Sequence, residues 1–182
     1  MGGVAPGWGL VSGIVYTGWK AAALAAAKKL AAEAGAAMGK AAGDAEGLAI
    51  VIKEVESQFR LSTIGVKDLG LVLNGTNYTD VSNITTFIFT KYRGSCFPSA
   101  SVPGVPLGPS RIPVNDWPFC SAMSEKLSTK RIYSYTGDSM QEFIKEYVKP
   151  IVSQAKTVAE ATKTQVTSET TATLTDLKTG VW

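Results

Sequence analysis

The chain has 182 residues, a formal net charge of +3 and no histidine. With 45% hydrophobic residues it can bury one core, and the length fits a single module over residues 1–182. The missing histidine removes imidazole-dependent triads and zinc sets. The basic pairs Lys28-Lys29 and Lys130-Arg131 stand isolated, so no stripe for nucleic acid is present.

Met1 to Trp19 carries no charge, which by length makes it a candidate membrane span. Six glycines and Pro6 argue against that, and no basic stretch precedes it as in a signal peptide. We read residues 1–17 as a glycine-rich entry segment leading into a helix.

That helix is expected from about Gly18 to Phe59. Its end is amphipathic, with Leu48, Val51, Ile52, Val55 and Phe59 on one face. Upstream, Ala23, Ala27, Ala31, Gly35, Gly39, Gly43 and Gly47 recur every four residues. An exposed glycine inside a helix costs about 1 kcal/mol relative to alanine, so this row needs compensation. A row without side chains is a groove for the ridge of another helix. Membrane helix pairing uses the same pattern, but Lys40, Asp44 and Glu46 interrupt it and favour packing in a water-soluble bundle. A break near Gly43 or Gly47 is the alternative.

Gly65 and Gly70 weaken the next stretch, and Asn74-Gly75 signals a turn. Ile84, Phe87, Ile88 and Tyr92 then take helical spacing, with Ser82 or Asn83 as cap. The β-branched content of this run keeps a strand open. Asn74, Asn77 and Asn83 each begin an N-x-T sequon and are candidate glycosylation positions in a secreted protein. The bland reading is a segment merely rich in Asn and Thr.

The two cysteines, Cys96 and Cys120, could be free thiols, a redox site or a disulfide. Their separation is far from C-x-x-C. Between them lie six prolines and two charges, with few helix or strand signals. We read a disulfide, which removes about 3–4 kcal/mol of unfolded-state entropy and implies an oxidising setting. The prolines stiffen the 96–120 loop and lower the entropy lost on binding. Val105, Leu107 and Ile112 offer apolar anchors and Arg111 a multi-donor head, while Trp117 reads equally as an anchor or as a side chain folded back onto the helices. Phe97 and Phe119, beside the bridge, are expected to fold back onto the helices.

Downstream, Asp138 is expected to cap a helix whose apolar face runs through Met140, Phe143, Ile144, Tyr147, Val148, Val152, Ala155 and Ala159. Pro150 should kink or interrupt it. Residues 162–182 are threonine-rich and read equally as a polar helix extension or a stalk-like linker. The expected fold is mainly α and bundle-like, with a disulfide-closed Pro-rich loop and little or no β structure. No P-loop or dinucleotide motif occurs, no catalytic residue or metal ligand stands out, and no cofactor is expected.

Several strings taken together resemble the variable region of the RIFINs: "GGVAPGWGLVSG", "AAEAGAAMGKAAG", "NYTDVSNITTFIFTKYRGSC" and "SQAKTVAEATK". RIFINs are variant surface antigens that malaria parasites export to the infected red cell. The resemblance covers most of the chain and is poorest between Cys96 and Met140, where the family varies most. It implies a helical ectodomain module displayed on the infected erythrocyte, without enzymatic activity. The chain lacks the family's export motif, its more constant N-terminal region and its C-terminal membrane segment. The resemblance therefore implies an excised variable region, soluble itself but belonging to a membrane-anchored protein.

Some family members engage inhibitory immunoglobulin-domain receptors of the leukocyte immunoglobulin-like, leukocyte-associated immunoglobulin-like or killer-cell immunoglobulin-like kinds. Others are linked to rosetting through red-cell glycans. The first expectation is thus a receptor ligand contacting its partner through Val105, Leu107, Arg111, Ile112 and Trp117, helped by Ile132, Tyr133 and Tyr135. A glycan-binding adhesin and an antigenic decoy without a fixed partner are the alternatives.

Overall fold

The computed structural model describes residues 13–97, 112–130 and 137–180. Among these residues five α-helices occur and no strand: α1 (Gly13–Phe59), α2 (Thr63–Val72), α3 (Val81–Cys96), α4 (Trp117–Thr129) and α5 (Gly137–Thr179). A single 3₁₀ turn, Val114–Asp116, leads into α4. The mainly α expectation is met. By its contacts the chain divides into two compact units, residues 1–43 with 159–182, and residues 44–158.

In the first unit, α1 does not break at Gly43. Ala31, Gly35, Gly39 and Gly43 are all buried. A Cβ on Gly39 would lie 2.6 Å from the Lys163 carbonyl oxygen, and one on Gly43 2.5 Å from that of Ala159. One on Gly35 would lie 2.9 Å from the carbonyl oxygen of Thr167. As the glycine numbers rise, their partners' numbers fall, so the two helix segments run antiparallel. Their backbones approach as closely as the missing side chains allow, which places Cα–H groups against carbonyls. The compensation that the glycine row demands is this contact. The threonine-rich end, for which linker and helix were equally open, is helical to Thr179. Thr167 and Thr171 are the side chains set against Gly39 and Gly35.

In the second unit a conventional side-chain core forms. Val51, Val55 and Phe59 of α1, Leu69 of α2, Ile84 and Ile88 of α3, Phe119 and Met123 of α4, and Ile144, Val148 and Ile151 of α5 are at most 1% exposed. Each set follows the three-and-four spacing of one helix face. Lys126 of α4 lies over the rings of Tyr147, 4.6 Å from its centroid, and Phe59, 5.5 Å away. Gly47, the last glycine of the row, is buried under Tyr78; a Cβ there would sit 2.7 Å from the ring's Cζ.

Local chemistry sets the helix ends. Beyond Phe59, Arg60 takes a left-handed φ of 49° and the Leu61 amide donates to the Glu56 carbonyl at 3.1 Å. This is the Schellman stop, with arginine where glycine is usual and Leu61 buried as its apolar plug. Ser62 then caps α2, its Oγ accepting from the Gly65 amide at 3.2 Å.

Two local expectations need correction, and at Pro150 the interruption falls away. The cap of α3 is Asp80, whose carboxylate accepts from the amides of Ser82 and Asn83, so those residues donate rather than cap. Asp138 lies inside the first turn of α5, where its charge suits the helix dipole. Pro150 is exposed within α5 and does not end it. One ladder bond is lost there, while Val148, Ile151 and Val152 around it stay buried. The strand alternative for residues 84–92 also falls away. Ile84, Thr85, Ile88 and Tyr92 bury one helical face.

Candidate functional site: the base of the cysteine loop

Cys96 and Cys120 form a disulfide with their Cα atoms 5.5 Å apart. Cys96 ends α3 and Cys120 lies in the first turn of α4, so the bond joins two helix termini. The loop is less irregular than expected, since its last residues are the 3₁₀ turn and the start of α4. Pro118 does not disrupt that start, because the first turn of a helix has no use for the missing amide.

A second clamp lies beside the disulfide. Lys91 Nζ of α3 bonds Asp116 Oδ1 at 2.8 Å, and both side chains are about nine-tenths buried, 13% and 14% exposed. Ser95 Oγ donates to the other carboxylate oxygen, Oδ2, at 2.7 Å. The Lys91 stem passes over Gly65 of α2, where a Cβ would come within 3.2 Å of its Cε. Its ammonium also stands 5.7 Å from the centroid of the Phe119 ring. Burial pushes the Asp116 carboxyl up. The hydrogen bonds from Lys91 and Ser95 and the Lys91 charge outweigh it, holding the group below its usual range. Asp116 is therefore ionised at neutral pH and fastens the 3₁₀ turn to α3.

These clamps fix the backbone under three large apolar side chains that face solvent. Val114 is 88% exposed, Phe97 65% and Trp117 62%. The Phe97 ring meets Tyr92 edge-on, with centroids 5.2 Å apart, and presents its remaining surface outward. Phe119 folds into the core as expected. Phe97 does not: it is the first residue past α3, outside the helical face that is buried.

Of the expected contact residues, Trp117 is on this surface and Ile112, two residues before Val114, is half-buried. Val105, Leu107, Arg111, Ile132, Tyr133 and Tyr135 lie outside the described residues. Val114, an apolar residue between Pro113 and an Asn-Asp pair, is an exposed residue that the sequence alone does not single out. Pro118, which follows Trp117, lines an open cleft of about 450 Å³ with Lys53, Glu56 and Arg60.

The sequon asparagines have structural work in the turn between α2 and α3. Asn74 Oδ1 accepts from the Thr76 amide at 2.8 Å and from its hydroxyl at 2.6 Å. Asn77 Nδ2 donates to the Val72 carbonyl at 3.0 Å, which closes the end of α2. Asn83 is exposed in the first turn of α3.

The family model described as Rifin matches residues 1–181. No curated protein matches the chain. A body that is helical and without strands among the described residues, a disulfide that closes a proline-rich loop, and a family match over essentially the whole sequence lead to one assignment: the chain belongs to the Rifin family of surface-exposed variant antigens.

Proposed function

We propose that the base of the cysteine loop docks an inhibitory immune receptor built of immunoglobulin domains, and that this engagement dampens the host leukocyte. The leukocyte immunoglobulin-like, leukocyte-associated immunoglobulin-like and killer-cell immunoglobulin-like receptors are the candidate partners. In this reading the display site is the surface of the infected erythrocyte. The carrying observation is the set of exposed apolar side chains, Phe97, Val114 and Trp117, on a backbone clamped by a disulfide and a nearly buried ion pair. Aromatic anchors dominate protein interfaces, and a pre-ordered backbone loses little entropy on binding. Val105, Leu107, Arg111 and Ile112 extend the contact in this proposal, with Ile132, Tyr133 and Tyr135 as a further rim. The mechanism is occupancy and needs no bond made or broken.

The test is a binding screen of the chain against a panel of soluble receptor ectodomains. With a positive pair in hand, Trp117→Ala together with Val114→Ala should weaken binding by about 30-fold or more, the scale of a hot spot. Helicity should be unchanged, because both side chains are exposed. Unaltered affinity would move the contact elsewhere. A glycan-array signal with every receptor silent would replace this reading with adhesion to red-cell sugars.

A further inference from the structure

The turn between α2 and α3 holds a reactive arrangement that receptor docking does not use. Of the chain's four asparagines, Asn74 is the one followed by glycine. Asn74 is exposed and Gly75 half-buried. The Asn74 Oδ1 accepts three hydrogen bonds, from the Thr76 hydroxyl at 2.6 Å, the Thr76 amide at 2.8 Å and the Asn77 amide at 3.2 Å. Asn74 Nδ2 has no acceptor among the described residues, and neither has the Gly75 amide. Asn77, in the same turn, is arranged the other way. Its Nδ2 donates to the Val72 carbonyl at 3.0 Å, and its successor is the buried Tyr78.

These are the parts of an intramolecular amide exchange. The Gly75 nitrogen is the nucleophile, with no side chain beside it to hinder approach. The Asn74 Cγ is the electrophile. The three donors on its oxygen stand where negative charge develops during attack, as in an oxyanion hole. Nδ2 is an unrestrained leaving group. We propose that Asn74 is a site of spontaneous deamidation in the folded chain. In the first step the Gly75 amide gives its proton to hydroxide and its nitrogen bonds to Cγ. The Cγ–Nδ2 bond breaks, and Nδ2 takes a proton from water and leaves as ammonia. The product is a cyclic succinimide, which water then opens. Cleavage of the bond from nitrogen to Cγ leaves aspartate. Cleavage of the bond from nitrogen to the Asn74 main-chain carbon leaves isoaspartate, through which the backbone runs one methylene longer. The Asn74 main-chain oxygen accepts from the amides of Asn77 and Tyr78 at 3.2 and 3.1 Å, so the second carbonyl of the ring starts with donors of its own. Either product lowers the formal net charge of +3 by one. The new carboxylate enters close to Asp44, whose Cβ is 3.5 Å from where a Gly75 Cβ would stand. The isoaspartate form also shifts the seat of Tyr78 over Gly47. A displayed antigen thereby changes one exposed patch with age and without a change of gene.

The test uses the 182-residue chain produced in bacteria, where Nδ2 carries no glycan, kept folded in warm neutral buffer for some weeks. Peptide mapping by mass spectrometry should find loss of ammonia and gain of water at Asn74, and an isoaspartyl methyltransferase should label the same peptide. Asn77 and Asn83 should convert at least about tenfold more slowly, and so should Asn74 in Gly75→Ala. Alanine fits at position 75, since its Cβ would make only ordinary contact with Asp44. Thr76→Val removes one donor from Oδ1 and should slow conversion by about fivefold, the rate equivalent of a modest hydrogen bond. Thr76 is exposed, so circular dichroism should stay constant. An Asn74 that stays intact in the folded chain overturns the proposal, and its conversion in urea would then show that the turn shields the amide. A Thr76→Val rate equal to that of the wild type overturns it as well, because the donors would contribute nothing.

Discussion

The glycine row and the base of the cysteine loop hold helices together by opposite means. Along Gly35, Gly39 and Gly43 nothing is added: side chains are removed until one backbone lies against the carbonyls of another. At the loop base, everything is done by side chains, through a disulfide, a carboxylate with two donors, and an ammonium beside an aromatic ring. The difference bears on how each region tolerates change. A backbone-to-backbone contact accepts almost no substitution along its row. A base fastened through Cys96, Cys120, Lys91, Ser95 and Asp116 leaves the residues between its fastenings free to vary. A variant antigen has use for both, a fixed scaffold and a surface that can be rewritten over it.

The comparison breaks first at the disulfide. Replacing Cys96 and Cys120 together by serine should lower stability by about 3 kcal/mol, the entropy of a loop of this length. Thermal unfolding followed by circular dichroism should show the loss, and receptor binding should fall with it. Gly39→Ala is the matching change in the other region. Alanine favours helix by about 1 kcal/mol. Here, though, the added methyl would lie 2.6 Å from a backbone oxygen, which cannot swing aside as a side chain tip can. Overpacking of about 2–3 kcal/mol wins, and the net effect is a loss of about 1–2 kcal/mol. Hydrogen exchange should place that loss in residues 30–43 and 159–175, with the amides of α3 and α4 as protected as before. Uniform loss across both units would mean that the row is not a local fastening.

Much of this fold was legible, for reasons that particular residues show. The apolar face of α5 and the end of α1 follow helical spacing over several turns, and periodicity of that length survives local disturbance. The glycine row announced that something had to approach it. Its partner went unread because Ala159, Lys163, Thr167 and Thr171, also four apart, differ in polarity and make no hydrophobic stripe. α4 was hidden by its own opening: two prolines, Pro113 and Pro118, look like loop. Yet Phe119, Ala122, Met123 and Lys126 keep the spacing of a helical face, and Pro118 fits a first turn. The loop base was half legible. Cysteine spacing and composition pointed to a clamped loop with Trp117 at its edge. The Lys91–Asp116–Ser95 fastening could not be read, because it joins residues more than 20 apart that follow no pattern.

That fastening gives the third prediction, and its sign follows from the carboxyl. Asp116 is held below the usual carboxylate range in the folded chain, so folding favours its ionised form. Its contribution is fully present above the unfolded-state value near 4 and is lost as pH falls through the lower folded-state value. Asp116→Asn should cost about 1–2 kcal/mol at pH 7, since Lys91 keeps its charge in a nearly buried place without its partner. The gap between variant and wild type should close as the pH is taken below about 4. A gap that stays constant from pH 7 to pH 3 would show that Asp116 acts by shape rather than by charge.

The smallest effect is the sharpest control on the glycine row. Gly70 also lies inside a helix, α2, but it is exposed and a Cβ added there would meet nothing within 4 Å. Its backbone is an ordinary helical one, so alanine fits without strain and removes conformational freedom from the unfolded chain. Gly70→Ala should therefore stabilise the protein by about 0.5–1 kcal/mol, visible as a rise in Tm of a few degrees. The same substitution thus has opposite signs at Gly39 and Gly70, and only the neighbouring backbone distinguishes them. If both variants gained stability, the close approach along the row would not exist in solution. If both lost it, the cost at Gly39 would belong to the methyl group itself rather than to the contact with α5.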